Sequence, residues 1–272
     1  MEKKSLAIKI GLIISGLIIV IFSTYMLVKQ LGDYRKSTNI YTDTAKQYAP
    51  EPVETVIEDS AIEVVDDIIS WDEILDVDIA GLQSINEDVV GWIYFENEDI
   101  SYPVLYSGDD STYLRRSYTG ENIQAGSIFM EGKNTKDFSD AHTIIYGHNM
   151  KDLSMFGRLR YYVADEDYIL DHEYFQIITK EKKYRYKIIS YKIVSDDSDV
   201  YTIYKESNQD FIEFANGTLQ KGSYIDGNII KGDDHMITLS TCSGDNRLVV
   251  SAVRCDECEC FGGYFVYESF VY

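Results

Sequence analysis

The 272-residue chain carries one cysteine in a setting where a thiol could do chemistry. Cys242 ends the run Thr238-Leu239-Ser240-Thr241-Cys242, and Ser243-Gly244-Asp245-Asn246 then turns the chain. A cysteine at a strand end is held on rigid backbone yet open to solvent, and a nucleophile needs both. The other reading of an isolated cysteine is a small buried core residue. Arg247 comes directly after the turn and starts the next apolar strand, so a hairpin brings its guanidinium alongside Cys242. A permanent cation there can stabilise an oxyanion forming on an attacked carbonyl. Taken alone, it is also an ordinary surface arginine at a strand end. The third candidate is His148, in Tyr146-Gly147-His148-Asn149. It stands after an apolar strand and a glycine, a junction from which an imidazole can reach a neighbouring strand end and protonate a departing amine. His142, His172 and His235 lack this setting and read as surface or strand-edge residues. A thiol, a cation and an imidazole together are the parts of acyl transfer.

The elements that must position these groups are mostly strands. Gly91–Phe95 and Ile100–Tyr106 flank Glu-Asn-Glu-Asp as a hairpin, and Tyr174–Thr179 and Tyr184–Val194 flank Lys-Glu-Lys-Lys as another. Ser127–Met130 and Thr143–Tyr146 are short apolar runs, and His235–Thr241 and Arg247–Val253 enclose the Ser-Gly-Asp-Asn turn. Asn208–Leu219 has helical spacing, and Trp71–Ile85 reads as a short amphipathic helix covering one face of the strand-rich domain. Seven or eight short strands with few helices suggest a closed β-barrel or a sandwich.

Ahead of this domain, Ile10 to Val28 contains no charged residue. About 19 apolar residues rise roughly 28 Å as a helix, close to the hydrocarbon thickness of a bilayer. The run ends at Tyr25-Met26-Leu27-Val28 without the small residues of a signal-peptide cleavage site, so it reads as a retained anchor. Basic residues flank it on both sides (Lys3, Lys4 and Lys9 against Lys29, Arg35 and Lys36), so charge does not set its orientation. The expected organisation is a terminus at 1–9, an anchor at 10–28, an acidic stalk at 29–70, a catalytic domain at 71–255 and a tail at 256–272. The net charge of −21 excludes non-specific nucleic-acid binding, because a phosphate backbone repels such a surface. Cys255, Cys258 and Cys260 crowd near the C-terminus. Their spacing is only half of a zinc pattern with no histidine after it, so neither metal nor cofactor is assigned.

Three motifs in order, Tyr-Gly-His-Asn-Met-Lys-Asp, Thr-Leu-Ser-Thr-Cys and Arg-Leu-Val-Val, resemble the sortases. Asp88-Val89-Val90-Gly91-Trp92-Ile93, Tyr102-Pro103-Val104, Tyr113-Leu114, Gly126-Ser127-Ile128-Phe129 and Ser154-Met155-Phe156 extend the resemblance to class B, over about Leu82 to Val253. It implies a mainly β fold, a closed eight-stranded barrel with a few peripheral helices, preceded by one transmembrane helix. It also implies a catalytic set of His148, Cys242 and Arg247, and a substrate groove that includes Leu114, Ser240 and Thr241. Such enzymes cut a C-terminal sorting signal after Thr, hold the Thr carbonyl as a thioester and pass it to an amine of a peptidoglycan precursor or a pilin lysine. The implied partners are secreted proteins bearing that signal and the amine acceptor. The implied location is the cell membrane, with a cytoplasmic N-terminus and an extracellular domain. The stretch from about Val194 to Gly232 corresponds to the long loop that shapes substrate choice in class B members. Only four residues separate Cys242 from Arg247, a shorter connection than many class B members carry.

Two other readings compete. A papain-like or cell-wall peptidase also uses Cys and His, but those families usually place the cysteine before the histidine, at a helix start. A tethered, non-catalytic β-domain that binds wall components would be indifferent to loss of the thiol.

Overall fold

The structure, a computed structural model, describes residues 2–50, 75–219 and 230–259. Eight strands close into a barrel: β1 (Val89–Phe95), β2 (Ser101–Leu105), β3 (Ile128–Met130), β4 (His142–Tyr146), β5 (Tyr174–Ile178), β6 (Lys182–Val194), β7 (Met236–Ser243) and β8 (Asn246–Glu259). Their order around the wall is β1-β2-β3-β4-β7-β8-β6-β5, with β5 returning to pair with β1. β2–β3 and β4–β7 are parallel and the other neighbours antiparallel. Of the two architectures that strand spacing allowed, the barrel is the one formed. Closure leaves no edge strand unpaired. Fully buried side chains pack both faces of its wall: Phe95, Phe175 and Tyr186 share one face, and Trp92 lies on the other. The Phe175 ring stacks on both Phe95, at 5.1 Å, and Tyr186, at 5.3 Å.

The helices lie outside this wall. α1 (Glu2–Tyr48) precedes the barrel, and α2 (Ile79–Ile85) packs Ile79 and Leu82 into the core beside β1. Two single-turn helices, α3 (Tyr161–Ala164) and α4 (Tyr168–Asp171), lie between β4 and β5, and α5 (Gln209–Leu219) belongs to the β6–β7 connection. α2 is shorter than the helix expected from Trp71 because Asp78 caps it, accepting from the Gly81 N–H at 2.7 Å. Residues 71–74 lie outside the described residues.

α1 differs most from expectation. It contains a stretch with mean hydropathy 2.4 and none of it buried, long and apolar enough to cross a membrane. The helix then continues through residues expected to form a stalk. Ser37, Tyr41 and Thr44, spaced four and three apart, are buried against the barrel. The Tyr41 hydroxyl donates to the Gly126 carbonyl at 2.5 Å, and Thr44 donates to the Tyr118 hydroxyl at 3.0 Å. Residues 29–48 are therefore a docked helix; 51–70 lie outside the described residues. At the other end β8 runs beyond residue 255, with Cys258 opposite Lys183 of β6, so the barrel includes the first residues assigned to a tail. Cys255 Sγ lies 3.4 Å from the Arg185 carbonyl. Cys260 lies outside the described residues.

Candidate active site

Strand register brings the three candidate residues to one rim. β4 and β7 are parallel, with Tyr146 opposite Ser240, and the Gly147 N–H donates the next rung to the Ser240 carbonyl at 3.1 Å. His148 and Cys242 each stand two residues beyond that pair, so they leave the sheet at the same height. β7 and β8 are joined by the two-residue turn Gly244-Asp245, and Cys242 lies directly opposite Arg247. Directly opposed residues have Cβ atoms about 4.5–5.5 Å apart on one face. Cys242 is exposed, which removes the buried-core reading; Arg247 and His148 are half-buried.

A cleft of about 210 Å³ opens here, lined by His148, Cys242, Arg247, Leu114, Ser240 and Thr241. Asp110, Phe129, Tyr146 and Gly147 complete its walls. All six residues singled out from the sequence therefore meet in one place. Leu114 is exposed, whereas Ser240 and Thr241 are nearly covered and form the floor. The Thr241 hydroxyl is buried and has no hydrogen-bond partner among the described residues. Ser240 shares a hydrogen bond of 2.9 Å with the Tyr201 hydroxyl, reaching in from the β6–β7 connection. Tyr146 donates to Glu131 at 2.8 Å; burial first, and that bond second, push its hydroxyl above the ordinary tyrosine range. It is a neutral group, not a base.

Close approach of backbone makes the cleft possible. A Cβ on Gly147 would stand 2.5 Å from Ile128 Cδ1 and 2.6 Å from Phe156 Cδ2, two side chains with no exposure and no room to yield. Glycine therefore lets the chain hug the core and release His148 into the cleft. Gly126, at φ +57°, plays the same part opposite: a Cβ would meet the Tyr113 and Leu114 carbonyls at 2.5 Å. The Leu114 carbonyl lies 2.7 Å from His148 Nε2. A carbonyl only accepts, so Nε2 carries the proton and Nδ1 is the nitrogen left to exchange one.

Two residues overlooked in the sequence hold the backbone of Cys242 in place. Asn149 Nδ2 donates to the Cys242 carbonyl at 2.6 Å. Arg160 in turn donates to Asn149 Oδ1, and to the Met150 and Gly157 carbonyls at 2.7 Å each. The residue beside the histidine thus ties down the backbone of the cysteine. Its place in Tyr-Gly-His-Asn was the available signal; Arg160 gave none, being brought in by the fold. His142 corrects an expectation. It is wholly buried on β4, its Nδ1 2.7 Å from the Thr202 carbonyl and its Nε2 2.8 Å from the Thr238 hydroxyl. Among the described residues no group of three His, Cys, Asp or Glu could hold a metal ion.

The sortase-domain family model matches residues 94–255, well over half of the chain. This chain belongs to the sortase family. Sortase B of Listeria monocytogenes is 32% identical to it over 241 residues, covering 88% of this chain and 91% of its own. Sortase B of Staphylococcus aureus is 34% identical over 163 residues, or 59% of this chain and 66% of its own. A crystal structure of sortase B from Bacillus anthracis, in complex with AAEK1, superposes with a TM-score of 0.67 at 28% identity, over 82% of this chain and 98% of that one. The resemblance to class B holds, and this sortase is a cysteine transpeptidase.

Proposed function

We propose that Cys242 is the nucleophile of this transpeptidase and that the reaction runs in two acyl transfers. The observation that carries the reading is the register at the rim, which sets Cys242 opposite Arg247 and level with His148 in one cleft. In the first transfer Sγ attacks the Thr carbonyl carbon of a C-terminal sorting signal. The Arg247 guanidinium stabilises the oxyanion, and the thiol proton passes to His148 Nδ1. His148 returns a proton to the departing amide nitrogen as the C–N bond breaks, leaving a thioester. In the second transfer an amine of a peptidoglycan precursor, or a pilin lysine, gives a proton to His148 Nδ1 as it attacks the thioester carbon; the C–S bond breaks and the Cys242 thiolate takes that proton back. Leu114, Ser240 and Thr241 contact the signal peptide. α1 anchors the enzyme in the cell membrane, with its N-terminus cytoplasmic and the barrel outside.

The test is acylation of the full-length protein by Thr-containing signal peptides, read as a mass increment. Cys242→Ala should give no adduct. Arg247→Lys keeps the charge but loses the forked donor geometry, and should slow acylation about a hundred-fold or more. His148→Ala should recover partly with an activated ester, whose leaving group needs no proton. A Cys242→Ala protein that still cleaves the peptide would overturn the assignment.

A further inference from the structure

On the other side of the β2–β3 connection from the substrate cleft lies a larger one, of about 920 Å³, between that connection and α1. Phe22, Met26 and Leu27 form the apolar part of its helical wall, continued by Lys29 and Asp33, and Arg115 faces them from the connection. The three apolar side chains are about half or more exposed. Among the described residues the Lys29 and Arg115 side chains have neither an ion-pair nor a hydrogen-bond partner, whereas the neighbouring Lys36 pairs with Glu121 at 2.5 Å. Asp33 is the acidic residue of the lining, so the cleft carries a net positive charge inside a chain of net charge −21.

Both walls are held in place before any ligand arrives. The Lys36–Glu121 pair and the bonds from Tyr41 to Gly126 and from Thr44 to Tyr118 lock α1 against the connection. The uncharged run of α1 ends at Val28, one residue before Lys29. The cleft therefore spans the level at which hydrocarbon gives way to headgroups: apolar side chains below, free cations above. That order matches one kind of molecule, an amphiphile with an anionic head.

We propose that this cleft seats an anionic phospholipid of the bilayer that α1 crosses. Lys29 and Arg115 contact the headgroup phosphate, and Phe22, Met26 and Leu27 lie along the first carbons of an acyl chain. The proposal rests on α1 being the membrane anchor. It places the barrel directly on the bilayer surface. It also puts the lipid one residue from Leu114, whose carbonyl accepts from His148, so the substrate cleft opens beside the membrane. Each cation near an anionic surface is worth roughly five-fold in lipid occupancy.

The experiment uses the full chain in nanodiscs of phosphatidylcholine with or without phosphatidylglycerol, with amide exchange of residues 115–124 measured by mass spectrometry. Phosphatidylglycerol should slow exchange there at least ten-fold. Lys29→Gln with Arg115→Gln should abolish the difference, and Arg115→Lys should keep most of it. Equal exchange in both nanodiscs, or protection that survives the double substitution, would overturn the proposal while leaving the anchor intact. Protection reproduced by inorganic phosphate in neutral detergent would show a free-anion site and refute the lipid. A chain that does not enter nanodiscs at all would sink the anchor and the proposal together.

Discussion

Acidification should unlock the barrel at His142, ahead of general acid unfolding. The imidazole is wholly buried, and burial is the main reason its value falls from 6.5 to about 4; the Thr202 carbonyl and Asp140 oppose the drop. The native state thus keeps the ring neutral at pH values where the unfolded chain protonates it. Between these two values the unfolded state binds more protons, so stability rises with pH and is lost as pH falls from 6.5 toward 4. Integrating that difference gives a loss of about 2 kcal/mol by pH 5 and about 3 kcal/mol by pH 4. Either figure is a large part of a typical domain's stability. The ring joins β4 to Thr238 of β7 and to Thr202, next to the Tyr201 that holds Ser240, so the cleft floor loosens with it. The assay is urea denaturation of the full chain in neutral detergent at pH 7, 5 and 4, for the parent and for His142→Gln. The variant should start less stable at pH 7 and lose about 3 kcal/mol less than the parent on going to pH 4. Parallel losses in the two proteins, or an imidazole titrating near 6.5 in the folded parent, would refute the reasoning.

Three further outcomes are expected. Asn149→Ala removes the donor to the Cys242 carbonyl and should lower kcat/KM about ten-fold, measured with a fluorogenic signal peptide, while shifting the melting temperature little. Gly147→Ala forces a methyl group into Ile128 and Phe156 and should cost about 1–3 kcal/mol in denaturation, with activity falling further because His148 is displaced. Thr241→Val replaces a buried hydroxyl that lacks a partner, so it should raise the melting temperature; if that hydroxyl serves the substrate, kcat/KM falls at the same time, and unchanged kinetics would remove Thr241 from the binding groove.

The strands were legible because each carries β-branched or aromatic residues between turn signals, and the eight expected segments correspond to β1 through β8, although β8 runs on to Glu259 where the strand was expected to end at Val253. The reach of α1 was not. Its docking stripe is Ser37, Tyr41 and Thr44, which bury hydroxyls on hydrogen bonds instead of aliphatic surface, so hydropathy sees only a polar segment. His142 was misread for a related reason: an ionisable side chain inside a barrel wall is unexpected until its two partners, 60 and 96 residues away, are known. The cleft residues were legible through short motifs, and Asn149 only through its place beside His148, while Arg160 and Tyr201 act through contacts that no local pattern encodes.

The parallel pairing of β4 with β7 also bears on the order in which the site is built. Cys242 and Arg247 sit on one tight hairpin, and such hairpins close in about 1–10 μs. The histidine side arrives from far away: Asn149 and Cys242, joined by a hydrogen bond, are 93 residues apart in sequence. Closing a loop of that length costs about 4 kcal/mol in chain entropy beyond the constant term, and nothing local offsets it. The expected order is thiol and guanidinium first, imidazole last. A chain still folding would then carry an exposed thiol without His148 beside it, and would gain transpeptidase activity only as the barrel shuts. In refolding, activity should therefore return with the slowest phase that reports β4–β7 pairing, after the hairpin has already formed.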